Sequence, residues 1–199
     1  LHAFGKLRRD DLGTVIDWHP LIDHMIDVAA CFASLCSCRS IRRSLERAAK
    51  RNLDDCDIAR LSVLVFLHDI GKANSGFQAK RWKNEQDIPK AWPKHAGHGL
   101  EALKLFYETQ AWQPIEPLIE QIGTWGDAGN SLLIASISHH GRPLKDHPGD
   151  WNKLIWKQVP GSYDPAIVLR DIGECIANNY PQAFESSSNS LPDSPAFGH

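Results

Sequence analysis

The stretch LSVLVFLHDIGK, residues 61–72, decides how this chain is interpreted. An apolar run of this kind is typical of a helix that passes through a protein core, and it ends in the adjacent pair His68 and Asp69. Imidazole and carboxylate groups both bind divalent transition metal ions. Adjacent helical residues point about 100° apart. The two side chains can therefore share one metal ion only at the end of the helix, where it reaches the surface. The competing interpretation is structural, with His68 capping the helix and Asp69 beginning a turn.

The composition describes a chain that can form a single domain with a substantial core. Its 199 residues are 42% hydrophobic, which is enough for one domain of generous size. The formal net charge of −2 excludes a globally basic nucleic-acid binder, so any contact with DNA or RNA must come from a local patch. No apolar run approaches the roughly 20 residues that span a bilayer, and the N-terminus has no signal-peptide pattern. We therefore expect a cytoplasmic protein without a membrane partner.

Amphipathic helices account for most of the chain, and the expected fold class is mostly α. The helical periodicity is clearest in residues 21–35, 61–70, 99–106, 131–138 and 164–178. Acidic residues at positions 54, 55 and 57 are expected to charge and cap the start of the helix that carries His68. Residues 1–17 have no clear period and predict an irregular lead-in, and no strand pattern stands out elsewhere. The polar, proline-rich segment 179–199 predicts a tail or linker, which leaves residues 1–178 as the domain.

Histidines recur at the ends or boundaries of four of these helices. The candidate ligands are His24, then His68 with Asp69, then His95 or His98, then the tandem pair His139 and His140. This set exceeds what one ion normally takes, whereas two ions about 3.5–4 Å apart and bridged by a carboxylate would use all of it. A two-metal site of this kind polarises a phosphodiester and neutralises charge in the transition state. The sequence therefore predicts phosphodiester hydrolysis.

A basic and aromatic stretch follows the His-Asp pair. In KANSGFQAKRWK, residues 72–83, turn-forming residues precede Phe77, Gln78, Lys80 and Arg81. Rings interleaved with cations can stack bases and bind backbone phosphates, and a plain surface turn is the competing interpretation. We predict an exposed loop here, with these four side chains as candidate nucleic-acid contacts.

These residues, taken in order, resemble a known family. The segments HMIDVAA at 24–30, HDIGK at 68–72, FQ at 77–78 and SHHG at 138–141 are similar to the HD-superfamily nuclease domain of the type I CRISPR-associated helicase-nuclease. The resemblance spans residues 19 to about 143. It implies an HD-domain helical bundle with a metal site at its centre. It also implies a metal-dependent single-stranded DNA nuclease that acts in antiviral defence with a superfamily 2 helicase and a guide-RNA surveillance complex.

The resemblance further implies a role for each matching residue. One metal would be held by His24, His68 and Asp69, and the second by Asp69, His98, His139 and His140. Lys72 would lie near the scissile phosphate and act with His68 and Asp69 in catalysis. His98 fits better than His95, because the family places a His-Gly or His-Glu pair at this helix start, and His95 remains a possible substitute. The ions would be divalent, two per site, from the set Mn, Ni, Co, Fe and Mg.

One part of the family's pattern has no match in this chain. The family's ligand set closes with an Asp on a later helix, in a stretch resembling LADW, and Asp164 and Asp171 are poor substitutes for it. We expect the first metal to be weakly held and the chain to be a truncated form that leads into a missing C-terminal part. Two other functions stay open: an HD phosphohydrolase acting on free nucleotides, and a metal-stabilised docking module without catalysis.

Overall fold

The computed structural model describes residues 2–108, 111–138, 153–185 and 190–192. Within these residues, helices dominate and the expected mostly α fold is confirmed. The helices are α1 (Leu21–Cys36), α2 (Arg39–Ala49), α3 (Asp55–Phe66), α4 (Ser75–Gln78), α5 (Gly99–Glu108), α6 (Glu116–Gly123), α7 (Asp127–Ile137) and α8 (Pro165–Asn179). Several short 3₁₀ segments join them, and the one at Leu67–Ala73 carries the His-Asp pair.

A β-hairpin occupies the segment for which the sequence predicted an irregular lead-in. Strand β1 (Phe4–Arg9) pairs antiparallel with β2 (Val15–Pro20), and Leu7 lies opposite Trp18. Two register irregularities interrupt the pairing, so the alternation of polar and apolar residues that reveals a strand is broken. The prediction of an irregular segment was wrong for this reason.

Helix α3 is the central helix of the fold, and its start is fixed by a reciprocal cap. The side chain of Asp54 accepts a hydrogen bond from the backbone nitrogen of Asp57 at 2.8 Å, and the Asp57 carboxylate accepts from the Asp54 nitrogen at 2.9 Å. The guanidinium of Arg51 binds both oxygens of Asp57, at 2.5 and 2.7 Å. The expected cap is confirmed. Beyond it the helix is buried almost all round, as its apolar composition predicted.

The backbone changes from an α-helix to a 3₁₀ helix where α3 ends. The helix stops at Phe66 and continues as the 3₁₀ segment Leu67–Ala73, whereas the sequence predicted a helix ending at Gly71. Residues 74–79 were expected to form an exposed loop, yet they are buried. The Asn74 side chain caps α4 by accepting from the Phe77 nitrogen at 2.7 Å. Polar side chains satisfy buried backbone groups here rather than facing water, which is why their composition resembled that of a loop.

The described part of the expected tail packs against the domain. The Nε atom of Arg60 in α3 donates to the carbonyl oxygen of Ala183 at 3.1 Å. The backbone nitrogen of Leu191 donates to the carbonyl oxygen of Trp125 at 2.6 Å, and both Ala183 and Leu191 are buried. Residues 180–185 and 190–192 therefore pack against the domain, whereas the sequence predicted a tail or linker. Ala183 and Leu191 lie among polar residues in the sequence, so no apolar pattern indicated this packing.

Among the described residues, no single helix is long and apolar enough to cross a membrane. Helices α1 and α2 meet the criteria of length and composition only as a pair, and the break between them bends by 90°.

The Asp57→Asn substitution tests the cap of α3. It is expected to lower the free energy of unfolding by about 2 kcal/mol at pH 7, because it weakens both a helix cap and a charged hydrogen-bond pair. Burial raises the pKa of Asp57, but the hydrogen bonds from the Arg51 guanidinium and the Asp54 backbone nitrogen lower it by more. The pKa of Asp57 is therefore below its ordinary value. A depressed folded pKa gives stabilisation above the unfolded value, near 3.9, that is lost as the pH falls through the folded pKa. Urea unfolding at pH 7 and pH 3 measures this difference, which should shrink at pH 3.

Asp55→Asn is the matched control on the same first turn. Asp55 is exposed, so this variant loses only the interaction of its charge with the helix dipole, about 0.5 kcal/mol. Equal losses in the two variants, or a difference that grows at pH 3, would contradict the assignment.

Candidate metal centre

Four nitrogen atoms surround the buried carboxylate of Asp69. On Oδ2 they are Nε2 of His24 at 2.9 Å, Nε2 of His68 at 3.1 Å and Nζ of Lys72 at 2.6 Å. Nε2 of His98 lies 3.3 Å from the other oxygen, Oδ1. The Asp69 side chain is 2% exposed. Both oxygens of one carboxylate are thus shared among residues that are far apart in the sequence.

Three elements bring these groups together. Helix α1 carries His24, the 3₁₀ segment carries His68, Asp69 and Lys72, and His98 immediately precedes α5. Asp69 leaves the helical conformation, with φ −109° and ψ 16°. This backbone geometry accompanies the close approach of its carboxylate to the preceding imidazole. Adjacent side chains on a continuous helix would instead diverge, as the sequence had predicted.

The His68 ring is oriented by a backbone carbonyl. Its Nδ1 lies 2.8 Å from the carbonyl oxygen of Val65. A carbonyl oxygen only accepts, so Nδ1 carries the hydrogen. The other ring nitrogen, Nε2, is the atom that faces Asp69. Metal-binding histidines commonly use this arrangement, donating the second ring N–H to a carbonyl or carboxylate.

The charge state of the centre follows from its contacts. Burial raises the pKa of Asp69, but hydrogen bonds from His68 and Lys72 outweigh this and hold the pKa well below its usual range. Burial and the nearby charge of Lys72 lower the pKa of His24, against the opposing effect of Asp69. An ionised carboxylate beside a neutral imidazole is the state in which both groups bind a cation.

Gly71 allows His98 to approach the 3₁₀ segment. A Cβ atom built on Gly71 would lie 1.7 Å from the carbonyl oxygen of His98 and 3.0 Å from the Cβ of Ala102. Any larger residue would push the start of α5 away from Asp69. The glycine of HDIGK is therefore needed for close packing.

Gln78 ties the hairpin to the metal centre. Its Oε1 accepts from the Phe4 nitrogen at 3.0 Å, and its Nε2 donates to the carbonyl oxygens of Phe4, at 3.0 Å, and Lys72, at 2.8 Å. The Lys72 ammonium in turn donates to the carbonyl oxygen of Gly5 at 3.1 Å. The side-chain amide acts as a strand partner for Phe4, which places β1 against the site.

The structure brings some of the candidate ligands together and places others elsewhere. His24, His68, Asp69 and His98 converge, with Lys72 beside them. His139 and His140 lie outside the described residues. Nε2 of His95 faces the carbonyl oxygens of Ala79 and Trp82 at 3.2 and 3.1 Å, so this ring holds a loop in place. The Asp164 carboxylate caps α8 by accepting from the Ala166 nitrogen at 2.9 Å, and Asp171 lines a separate surface groove.

The candidate nucleic-acid contacts also divide into two groups. Phe77 and Gln78 are buried, which corrects the expectation that they are exposed. Lys80 and Arg81 are partly buried, and the Lys80 ammonium lies 4.7 Å from the centre of the Phe77 ring. Sequence reasoning missed the hairpin residue Gly5, whose carbonyl binds Lys72. A contact through the backbone leaves no side-chain pattern by which it could have been found.

The donor set fits a divalent metal ion. One ligand atom each from His24, His68 and Asp69 all lie within 4.8 Å of one another. Mixed imidazole and carboxylate ligands suit several first-row divalent ions. A helical bundle with a His-Asp pair and further histidines converging at its centre defines an HD domain.

Comparison with protein-family models gives the family. Residues 4–191 match the family described as Cas3, HD domain. The chain belongs to this family of CRISPR-associated HD nucleases, which are hydrolases of the HD superfamily with a role on nucleic acid. HD domains bind divalent metals. Searches among curated proteins and among solved structures gave no match.

Gly71→Ala tests the close approach of His98. The new methyl group would meet a backbone carbonyl rather than a flexible side chain, so we expect a loss of about 2 kcal/mol in the free energy of unfolding. Urea unfolding of the two proteins measures it.

Gly123→Ala is the control for that substitution. Gly123 ends α6, and a Cβ built on it has no atom within 4 Å. The higher helix propensity of alanine should leave stability unchanged or raise it by up to about 1 kcal/mol. A similar loss at both glycines would count against a specific contact at Gly71.

Proposed function

We propose that this domain is a metal-dependent nuclease that cleaves single-stranded DNA by phosphodiester hydrolysis in CRISPR interference. It acts in the cytoplasm together with a superfamily 2 helicase and a guide-RNA surveillance complex. One observation carries the proposal: the Nε2 atoms of His24, His68 and His98 converge on the carboxylate of Asp69 in a chain of this family.

Two divalent ions are proposed, and the carboxylate of Asp69 is suited to serve both. Its Oδ2 faces His24 and His68, whereas its Oδ1 faces His98. By the family resemblance, His139 and His140 complete the second ligand set. Mn, Ni, Co, Fe and Mg are the candidate ions, because ligands of this mixed type accept several of them. When bound, such ions polarise the phosphodiester and activate water for attack.

Lys72 and Lys80 are proposed to draw the scissile phosphate into the site. Their ammonium groups lie 5.6 and 4.7 Å from the centre of the Phe77 ring. Burial lowers the pKa of Lys80, and the charge of Lys72 contributes to this shift, so the two cations are close enough to repel each other. A polyanion between them would relieve that repulsion. Charges in a site shielded from water act strongly on an approaching phosphate.

A second candidate function is the hydrolysis of free nucleotides by the same centre. An exposed loop over residues 72–83, which the sequence predicted, would leave the site open and would argue against this function. That argument is weakened because Phe77 and Gln78 are buried. Activity on nucleotides therefore belongs in the same experiment.

The direct test is incubation of the chain with Mn²⁺ and circular single-stranded DNA, with and without a chelator. We expect cleavage that the chelator abolishes. Asp69→Asn and His68→Ala should each reduce the rate at least about 100-fold, because they remove groups that stabilise charge in the transition state. Metal content per chain, measured in parallel, should fall in both variants.

His19→Gln provides the matched histidine control. His19 lies on β2, where its Nε2 is 3.1 Å from the exposed Asp27 carboxylate, and its loss should leave cleavage intact. Full activity in Asp69→Asn and His68→Ala would exclude this centre as the active site. Intact DNA combined with turnover of nucleoside triphosphates or cyclic dinucleotides would favour the nucleotide hydrolase. Metal binding without either activity would favour a docking module.

A further inference from the structure

An aromatic groove of about 550 Å³ lies beside the hairpin, and none of the candidate ligands that the structure describes lines it. Its lining residues include His2, Phe4, Leu7, Trp18, Arg81 and Trp82. Trp18 is 44% exposed, although an indole ring would be buried if apolar packing alone decided its position. The ring of His2 stacks on it, with centroids 6.3 Å apart. The groove therefore presents flat ring surface to its occupant.

Arg81 adds a cation to this groove. Its guanidinium carbon lies 5.6–5.7 Å from the ring centres of Phe4, Trp82 and Trp92. Among the described residues, no carboxylate lies within ion-pair distance of it. Its Nε donates to the carbonyl oxygen of Gln78 at 3.1 Å. A partly buried guanidinium without an acidic partner costs solvation energy, and an anion in the groove would offset that cost.

The segments that form the groove are basic overall. Residues 2–20 and 79–83 contain the basic residues Lys6, Arg8, Arg9, Lys80, Arg81 and Lys83 and the acidic residues Asp10, Asp11 and Asp17. One acid, Asp17, is paired with Arg8 at 3.4 Å. Another, Asp10, accepts from the backbone nitrogens of the hairpin turn. The excess positive charge is complementary to a phosphate backbone.

We propose that this groove binds single-stranded nucleic acid, with bases stacked on Trp18 and Trp82 and a phosphate on Arg81. The inference rests on the proposed function, because it assigns a path for the substrate of that activity. Base stacking on aromatic side chains beside cations is the general mode by which proteins hold single strands. An apolar peptide would fill the groove but would leave the Arg81 guanidinium without a counter-ion.

The groove lies close to the metal centre. The centroid of the Phe4 ring lies 5.5 Å from that of the Phe77 ring, and the Phe77 centroid lies 5.4 Å from that of the His98 ring. The two centroid separations added together equal the length of about three stacked nucleotides, at roughly 3.4 Å per nucleotide. Phe4 and Phe77 are buried, so their rings set the separation of the groove from the candidate ligands and a strand would pass over the surface beside them.

Trp18→Ala in the 199-residue chain tests the groove. Fluorescence anisotropy with a labelled oligothymidylate, in the presence of a chelator, measures binding without cleavage and without a metal contribution. Loss of one stacked base should weaken the Kd about 5- to 100-fold. Trp18→Phe retains an aromatic face and should recover most of the affinity.

The exposed Leu12 supplies the control for folding of the hairpin. Leu12 is 83% exposed at the turn of the same hairpin and does not line the groove, so Leu12→Ala should bind like the parent chain. Unchanged binding in Trp18→Ala would overturn the proposal and leave the groove to an apolar protein segment. Equal weakening in Leu12→Ala would overturn it as well, since the hairpin as a whole would then be responsible.

The same experiment separates this proposal from the proposed function. A parent chain that cuts DNA with Mn²⁺ while Trp18→Ala binds normally would retain the nuclease and reject the groove. A parent chain that binds oligothymidylate through Trp18 but never cuts would retain the groove and reject the nuclease.

Discussion

The buried carboxylate of Asp69 is the constraint on which the arrangement of the domain depends. An ionised carboxylate removed from water is costly unless charged or polar partners surround it. Its partners here come from α1, from the 3₁₀ segment and from the residue before α5. None of these elements can shift far without leaving an unpaired charge in the core. One side chain thus fixes the relative positions of three parts of the fold.

The residues that follow the His-Asp pair form one connected support for that carboxylate. Gly71 admits the backbone of His98, and the Asn74 amide donates to the carbonyl oxygens of Gly71 and Gly97, at 2.6 and 2.9 Å. Gln78 then joins Lys72 to the hairpin. These bonds connect backbone groups that belong to no common helix or sheet. The stretch from HD to FQ is therefore a structural unit as well as a source of candidate ligands.

Sequence reasoning could find the features that local patterns record. Periodicity predicted the helix that carries His24 and the helix that leads into His68, and acidic residues predicted the cap of α3. It missed the hairpin, because register irregularities break the alternation, and it misread residues 74–79, because polar side chains that serve the core resemble those of a loop. Helical position alone does not separate His95 from His98, and only the family resemblance favoured His98. In the structure the close approach of α5 to Gly71 brings His98 to Asp69, whereas His95 faces the carbonyl oxygens of Ala79 and Trp82.

The exposure of the ligands indicates from which side a substrate would approach. The Asp69 side chain is 2% exposed, whereas those of His24, His68 and His98 are 8, 11 and 16% exposed, so His98 is the most accessible of these four groups. The same ring is in contact with Phe77, which leads through Phe4 to the aromatic groove. Phe77 and Phe4 are both buried, so these contacts join the groove to the centre through the core. The position of the groove relative to the candidate ligands is therefore set by the same contacts of Gln78 and Lys72 that hold β1 against the centre.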